Sequence, residues 1–311
     1  MEHEIIAENL RFPEGPVALP NGDVLVVEIA GARLTRIALN GDRTVVAELP
    51  GSPNGAAIGP DGACYICNSG GLEWHTDEDG LLRAIGPAAD HQGGSIQRVD
   101  LKTGEVRTLY TEVDGCRLLS PNDLVFDHDG GLWFTDFGHS RRHQRMDFGG
   151  VYYCRTDKSF IVEVASLFLH ANGIALSPDD RRLYVAETST GRLWSFDVLA
   201  AGRLAKLRWQ STTGGHAVHT LGGIRRPDSI AVEASGNICI ATLHTGAITT
   251  VSPEGEVVEV TNYPDPMTTN ICFGGADMKS AFVTLSGTGR LARTQWERPG
   301  LELAFKDRAI T

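Results

Sequence analysis

Six stretches of this chain repeat one pattern. They are FPEGPVALPNGDVLVVE (12–28), SPNGAAIGPDGACYICN (52–68), SPNDLVFDHDGGLWFTD (120–136), ANGIALSPDDRRLYVAE (171–187), RPDSIAVEASGNICIAT (226–242) and TNICFGGADMKSAFVTL (269–285). In each, a small residue or Pro precedes Glu, Asn or Asp. A short apolar run follows, then a polar turn, then a second run rich in β-formers. Outer strand-like runs such as RLTRIALNG, SIQRVDLKTGEVRTL, GVYYCRTD, RLWSFDV and AITTVSPEGEVVEV come after most of them. Each unit therefore supplies about four strands, the content of one propeller blade. Repetition at a fixed motif is the mark of a repeat architecture, and a sandwich has no reason to repeat a unit six times. The expectation is an all-β fold: a six-bladed β-propeller of about four antiparallel strands per blade, with residues 1–311 forming a single domain. EIIAENL near the N-terminus is expected to lend a strand to the last blade and so protect the ring's open edges, with the C-terminal LELAFK as the competitor for that place.

Composition removes several functions. Lys and Arg number 28 against 39 Asp and Glu, a formal net charge of −11. That excess is a poor match to nucleic acid or to an anionic membrane, which call for clustered cations. No apolar run is long enough to span a bilayer, and MEHEIIAENLRFPEG lacks the features of a secretory signal. The six cysteines are scattered in apolar contexts and suit a reducing, cytoplasmic compartment. Cys64 and Cys67 form a CxxC, but inside a strand residues three apart point to opposite faces, so redox or zinc chemistry there is disfavoured.

In a propeller the first strand of each blade lines the central channel, and the polar residue at its start lies at one mouth. In chain order those positions hold Glu14, Asn54, Asn122, Asn172, Asp228 and Asn270. All bear oxygen and none is Lys, Arg or His. Taken one at a time, each could simply cap its strand. Taken as a ring with two carboxylates in it, they suit a hard divalent cation. One divalent cation is expected, Ca²⁺ foremost, with Mg²⁺, Mn²⁺, Zn²⁺ or Fe²⁺ acceptable.

FPEGP, SPND, ANGIALSPDDRRLYVAET and RPDSIAVEASGNI resemble the family of gluconolactonase, senescence marker protein and luciferin-regenerating enzyme, over nearly the whole chain. Diisopropylfluorophosphatase resembles it more distantly. The resemblance implies a catalytic divalent cation held in the channel by Glu14, Asn122, Asn172 and Asp228. It implies hydrolysis of a sugar lactone such as an aldonolactone by activated water, with Asp228 as general base at or near the metal. In the animal relatives an Arg two positions before the Asn contacts the sugar. Here that position is Ser120, so the animal-type substrate does not carry over. A phosphotriesterase-like hydrolase using the same cation, and a non-catalytic propeller that binds a small molecule, remain open. No GxSxG or HExxH motif supports other hydrolytic chemistry.

Loops after the second strand return to the mouth that holds the polar ring. Most are short, but two are not: 69–94 in blade two and 137–150 in blade three. Long loops on a rigid scaffold tend to carry recognition. Trp74, His75, Arg141 and His143 in these loops, with Asn54 and Asn122 at the mouth, are the expected contacts for a small-molecule lactone. His139 and His143 share a Gly- and Arg-rich stretch that reads as a solvated loop. The protein is expected to work as a monomer or small homo-oligomer.

Overall fold

A computed structural model describes residues 2–141, 145–207 and 211–309. It contains the expected six-bladed propeller. The inner strands are Pro13–Ala18, Pro53–Ile58, Pro121–Phe126, Ala171–Leu176, Arg226–Val232 and Thr268–Gly274. They neighbour one another in chain order, and the sixth lies against the first, closing the ring. Three further antiparallel strands extend outward from each. In blade three, for example, these are Gly131–Asp136, Gly149–Arg155 and Ile161–Phe168.

The inner and second strands are covered on both faces by neighbouring blades. Pro121–Phe126 and Gly131–Asp136 are buried at every position, which explains why they read as continuous apolar runs rather than alternating ones. The outermost strands are largely exposed, as in Arg43–Glu48 and Val257–Asn262. The core is accordingly a set of interblade clusters, such as the edge-on pair Tyr65 and Phe126 between blades two and three, with ring centroids 5.1 Å apart.

The last blade takes its outermost strand, His3–Ala7, from the N-terminus, where it pairs with Arg290–Gln295. Joining the two ends of the array removes the exposed edges of an open ring. LELAFK takes a different course. Leu301 donates its backbone N–H to the Val232 carbonyl at 2.8 Å, Phe305 packs edge-on against Phe126, and Arg308 donates to the Pro60 carbonyl at 2.7 Å. The C-terminal segment therefore runs from blade five to blade two across the end of the channel formed by the far ends of the inner strands. Among the described residues, no helix is long and apolar enough to cross a membrane.

Cys64 and Cys67 lie in the buried strand Cys64–Asn68. Burial pushes the Cys64 thiol up to about 12 and that of Cys67 well above its ordinary value. Neither is a reactive thiolate.

Candidate functional site

Every inner strand carries an irregularity at the same place. Between Pro121 and Leu124 the inner strand advances three residues while its partner advances two, from Asp136 to Phe134. The same one-residue excess falls just after Glu14, at Asn54, Asn172 and Asp228, and just before Asn270. A bulge re-aims the side chain beside it. Six bulges at equivalent positions turn the polar residues toward the axis instead of into the interblade core. Glycine then lets neighbouring strands close up behind them. A Cβ on Gly55 would lie 2.7 Å from the Asn122 carbonyl oxygen, and one on Gly173 would lie 2.6 Å from the Ile230 amide nitrogen.

A second repeated device holds the entry to these strands. Glu28, Asn68, Asp136 and Glu187 end the second strands of blades one to four, opposite Pro13, Pro53, Pro121 and Ala171. Glu28 accepts the Arg11 N–H at 2.8 Å, and Asn68 accepts that of Ser52 at 3.1 Å. Asp136 accepts from Leu119 and Ser120 at 2.7 and 2.9 Å, and Glu187 accepts from Leu169 at 2.6 Å. These side chains pin the backbone just ahead of each site residue. Their signal was present in the aligned repeats, whose first four units all end in an acid or amide.

Glu14, Asn54, Asn122, Asn172 and Asp228 line one cavity of about 350 Å³. Asn270 lies outside its lining and borders the channel beneath. The hydrogen bonds divide the ring further. Asn270 donates to Glu14 Oε2 at 2.7 Å and accepts the Ile271 N–H at 2.7 Å, so both ends of its amide are engaged. Asn172 donates its Nδ2 to Thr188 Oγ1 at 3.0 Å and also to Asp228 Oδ1. Thr188 in turn donates to the Pro227 carbonyl at 2.9 Å. The amide of Asn172 is thus fixed with its oxygen facing away from these partners. Asn122 Oδ1 and Asn172 Oδ1 are buried and accept no hydrogen bond from the described residues. Buried carbonyl oxygens seldom stay unpaired.

Among the described residues lining the cavity, the carboxylates meet no Lys or Arg. Glu14 is buried and Asp228 is partly exposed to the cavity. Burial, with mutual repulsion for Asp228, pushes both above the ordinary carboxylate range. Asp123, beneath them on the channel side, is pushed up to about 7 by burial and by the Glu14 charge. Among the described residues, two amide oxygens without a partner and two carboxylates with no Lys or Arg beside them are a donor set suited to a hard divalent cation. Among the described residues, no group of three or more His, Cys, Asp or Glu is arranged to hold a metal ion; the fit rests on amide oxygens joined to carboxylates. Asp123 was visible in SPND but carried no role of its own in the sequence reading.

Both long loops reach the cavity. In blade two, strands Leu72–Thr76 and Leu82–Pro87 form a hairpin, and the Leu82 N–H donates to the Gly287 carbonyl of blade six at 3.1 Å. The hairpin therefore spans the mouth above blade one. Trp74 lines the cavity and packs on Phe12, with centroids 5.0 Å apart. His75 is exposed and is not part of the lining, because adjacent strand residues face opposite ways. His143 and the side chain of Arg141 lie outside the described residues.

From blade three, Phe137, Gly138 and His139 enter the lining. His139, read from the sequence as part of a solvated loop, is buried at 4 % exposure. The two insertions fold against each other, placing His139 Nε2 3.1 Å from His91 Nε2. His170 was not foreseen. It lines the cavity stacked on Phe137 at 4.3 Å, and burial lowers its pKa.

A ring of inner-strand oxygens at the mouth of a six-bladed propeller defines a class of channel-site propeller. Residues 12–287 match the SMP-30/Gluconolactonase/LRE-like region, and the chain belongs to that family. It is 26 % identical over 296 residues to a gluconolactonase of Zymomonas mobilis, covering 87 % of this chain and 75 % of that one. It is also 26 % identical over 321 residues to a diisopropyl-fluorophosphatase of Loligo vulgaris, covering 95 % and 92 %. The structure of a gluconolactonase from Xanthomonas campestris shares its fold, with a TM-score of 0.73, 22 % identity and coverage of 96 % and 89 %.

Proposed function

We propose that this protein hydrolyses a lactone and depends on one divalent cation held by Glu14, Asn122, Asn172 and Asp228. The observation that carries this reading is the pair of buried oxygens on Asn122 and Asn172 that have no partner among the described residues, set beside two carboxylates with no Lys or Arg among the described residues of the lining. Ca²⁺ is the first choice for such a set, with Mg²⁺, Mn²⁺, Zn²⁺ and Fe²⁺ as alternatives. When bound there, the cation supplies Lewis acidity toward the ester carbonyl and lowers the pKa of water at the site.

The protein's own groups have separate tasks. Asn122 and Asn172 contribute dipoles without adding negative charge, which preserves the electrophilic character of the centre. Asn270 orients Glu14 through its hydrogen bond. Asp228 accepts the proton of the attacking water and returns it to the ring oxygen as the acyl C–O bond breaks.

The names of the relatives support a lactone, and gluconolactonase in particular suggests a sugar lactone. The squid relative, which matches nearly end to end, favours phosphotriester hydrolysis at the same site as the second reading. Proton release on a panel of lactones and phosphotriesters, with chelator-stripped protein and after return of single cations, tests the proposal. Lactone hydrolysis restored by a cation supports it. Hydrolysis of phosphotriesters alone transfers the site to the second reading, and no hydrolysis with a cation bound leaves a binding propeller.

A further inference from the structure

The floor of the cavity is polar, and much of its wall is apolar. Leu72, Trp74 and Ile85 come from the hairpin, Phe137 from blade three, Leu243 from blade five and Met267 from the entry to blade six. The hairpin is two-faced. Trp74 and Ile85 line the cavity, while Glu73, His75 and Arg83 are exposed and absent from the lining. Ile85 is 59 % exposed although it borders the cavity. A large apolar side chain left open on the inner rim of a pocket is covered when an apolar ligand binds.

Among the described residues, several polar groups in the walls are already engaged with the protein. Ser69 Oγ donates to the Pro121 carbonyl at 3.1 Å, and Thr188 Oγ1 donates to that of Pro227 at 2.9 Å. His170 Nδ1 meets Ser189 Oγ at 2.6 Å, and His139 Nε2 faces His91 Nε2 at 3.1 Å. A hydroxylated ring seated here would surrender water at several hydroxyls and find few partners for them above the floor. An alkyl or aryl body surrenders nothing and covers Trp74 and Ile85.

Building on the lactonase reading above, we infer that the lactone this site accepts carries an apolar alkyl or aryl body rather than a polyhydroxylated sugar ring. The reacting ester sits over the polar floor and the body of the molecule lies under the hairpin.

The test compares cation-loaded protein on glucono-δ-lactone, on alkyl-substituted δ-lactones and on a benzo-fused δ-lactone, each corrected for spontaneous hydrolysis. In parallel, the matching unreactive lactams and a polyhydroxylated lactam are titrated into cation-free protein and followed by tryptophan fluorescence. The expected result is a kcat/KM at least about tenfold higher for the apolar lactones, the discrimination a hydrophobic pocket commonly provides. Trp74→Ala and Ile85→Asn should each raise KM for the apolar lactones and shrink that ratio. Equal or faster turnover of glucono-δ-lactone overturns the inference and leaves the lactonase reading standing. If no lactone is hydrolysed, the lactonase reading fails, and the lactams decide the pocket's chemistry: preferential binding of the apolar ones upholds it, and preference for the hydroxylated one overturns it.

Discussion

Replacing Asn122 by alanine should have opposite effects in the two states of the site. In cation-free protein Asn122 Oδ1 is buried without a partner among the described residues. Such an oxygen carries a desolvation penalty of about 1–3 kcal/mol, and its removal equals or outweighs the packing lost with the amide. Asn122→Ala should therefore be neutral to about 2 kcal/mol stabilising in the absence of a cation. Unfolding entropy scales to roughly 0.65 kcal/mol per kelvin for 311 residues, so this is a rise in Tm of about 0–3 °C. With a cation at about 100 times its Kd, wild type gains about 2.7 kcal/mol, or about 4 °C. If the lost ligand weakens binding about a hundredfold, the variant gains only about 0.4 kcal/mol under the same conditions, or less than about 1 °C. The order of melting temperatures then reverses on adding cation. Differential scanning calorimetry on chelator-treated protein, with each divalent cation returned in turn, measures this directly. Equal destabilisation of the variant in both states, or no cation-dependent shift in wild type, refutes the argument, because Asn122 would then be an ordinary packed amide.

Further perturbations follow from the same geometry. Asp228→Asn should lower kcat by about two to four orders of magnitude, the range for loss of a general base, while circular dichroism shows a retained fold. The pH dependence of cation-free stability has a defined sign. Asp123 holds its proton up to about 7 against an ordinary 3.8, and Glu14 and Asp228 shift the same way. Their contribution is complete below the ordinary carboxylate range and is lost as pH rises through the raised values. Denaturant titrations should therefore show cation-free protein weakening between about pH 4 and 7, and cation affinity rising over the same interval as protons leave. Glu233 behaves oppositely. Its buried carboxylate accepts from Trp296, Arg298 and Asn237 at 2.8–2.9 Å, and those hydrogen bonds hold its pKa below the usual value despite burial. That stabilisation is present above the ordinary carboxylate pKa and disappears as pH falls through the lowered one. Glu233→Ala should destabilise by about 2–4 kcal/mol in urea titrations, the lower end reflecting the partly exposed guanidinium of Arg298. Gly173→Ala should cut both stability and activity, since its Cβ would meet backbone of blade five; unchanged kcat and Tm would show that the inner strands can separate.

Much of this was written in the repeats. The Glu, Asn or Asp at a fixed place, the turn and the second apolar run dictate a four-stranded unit, and sixfold repetition dictates the ring. Loop length also showed which blades build the roof, because an insertion after the second strand can only emerge at the mouth. Local sequence could not rank the ring positions. Asn54, Asn122, Asn172 and Asn270 look alike in their repeats, yet Asn270 is engaged by Glu14 from 256 residues away, while the oxygens of Asn122 and Asn172 are left open. The burial of His139 likewise depends on His91 from another blade. The apolar character of the roof depends on which face of the hairpin turns inward. Strand periodicity follows from neighbouring residues and is legible in the chain. Hydrogen-bond partners and the facing of a loop are fixed only when distant segments meet, and at this site those meetings decide which oxygens are left open at the axis and which side chains wall the cavity above them.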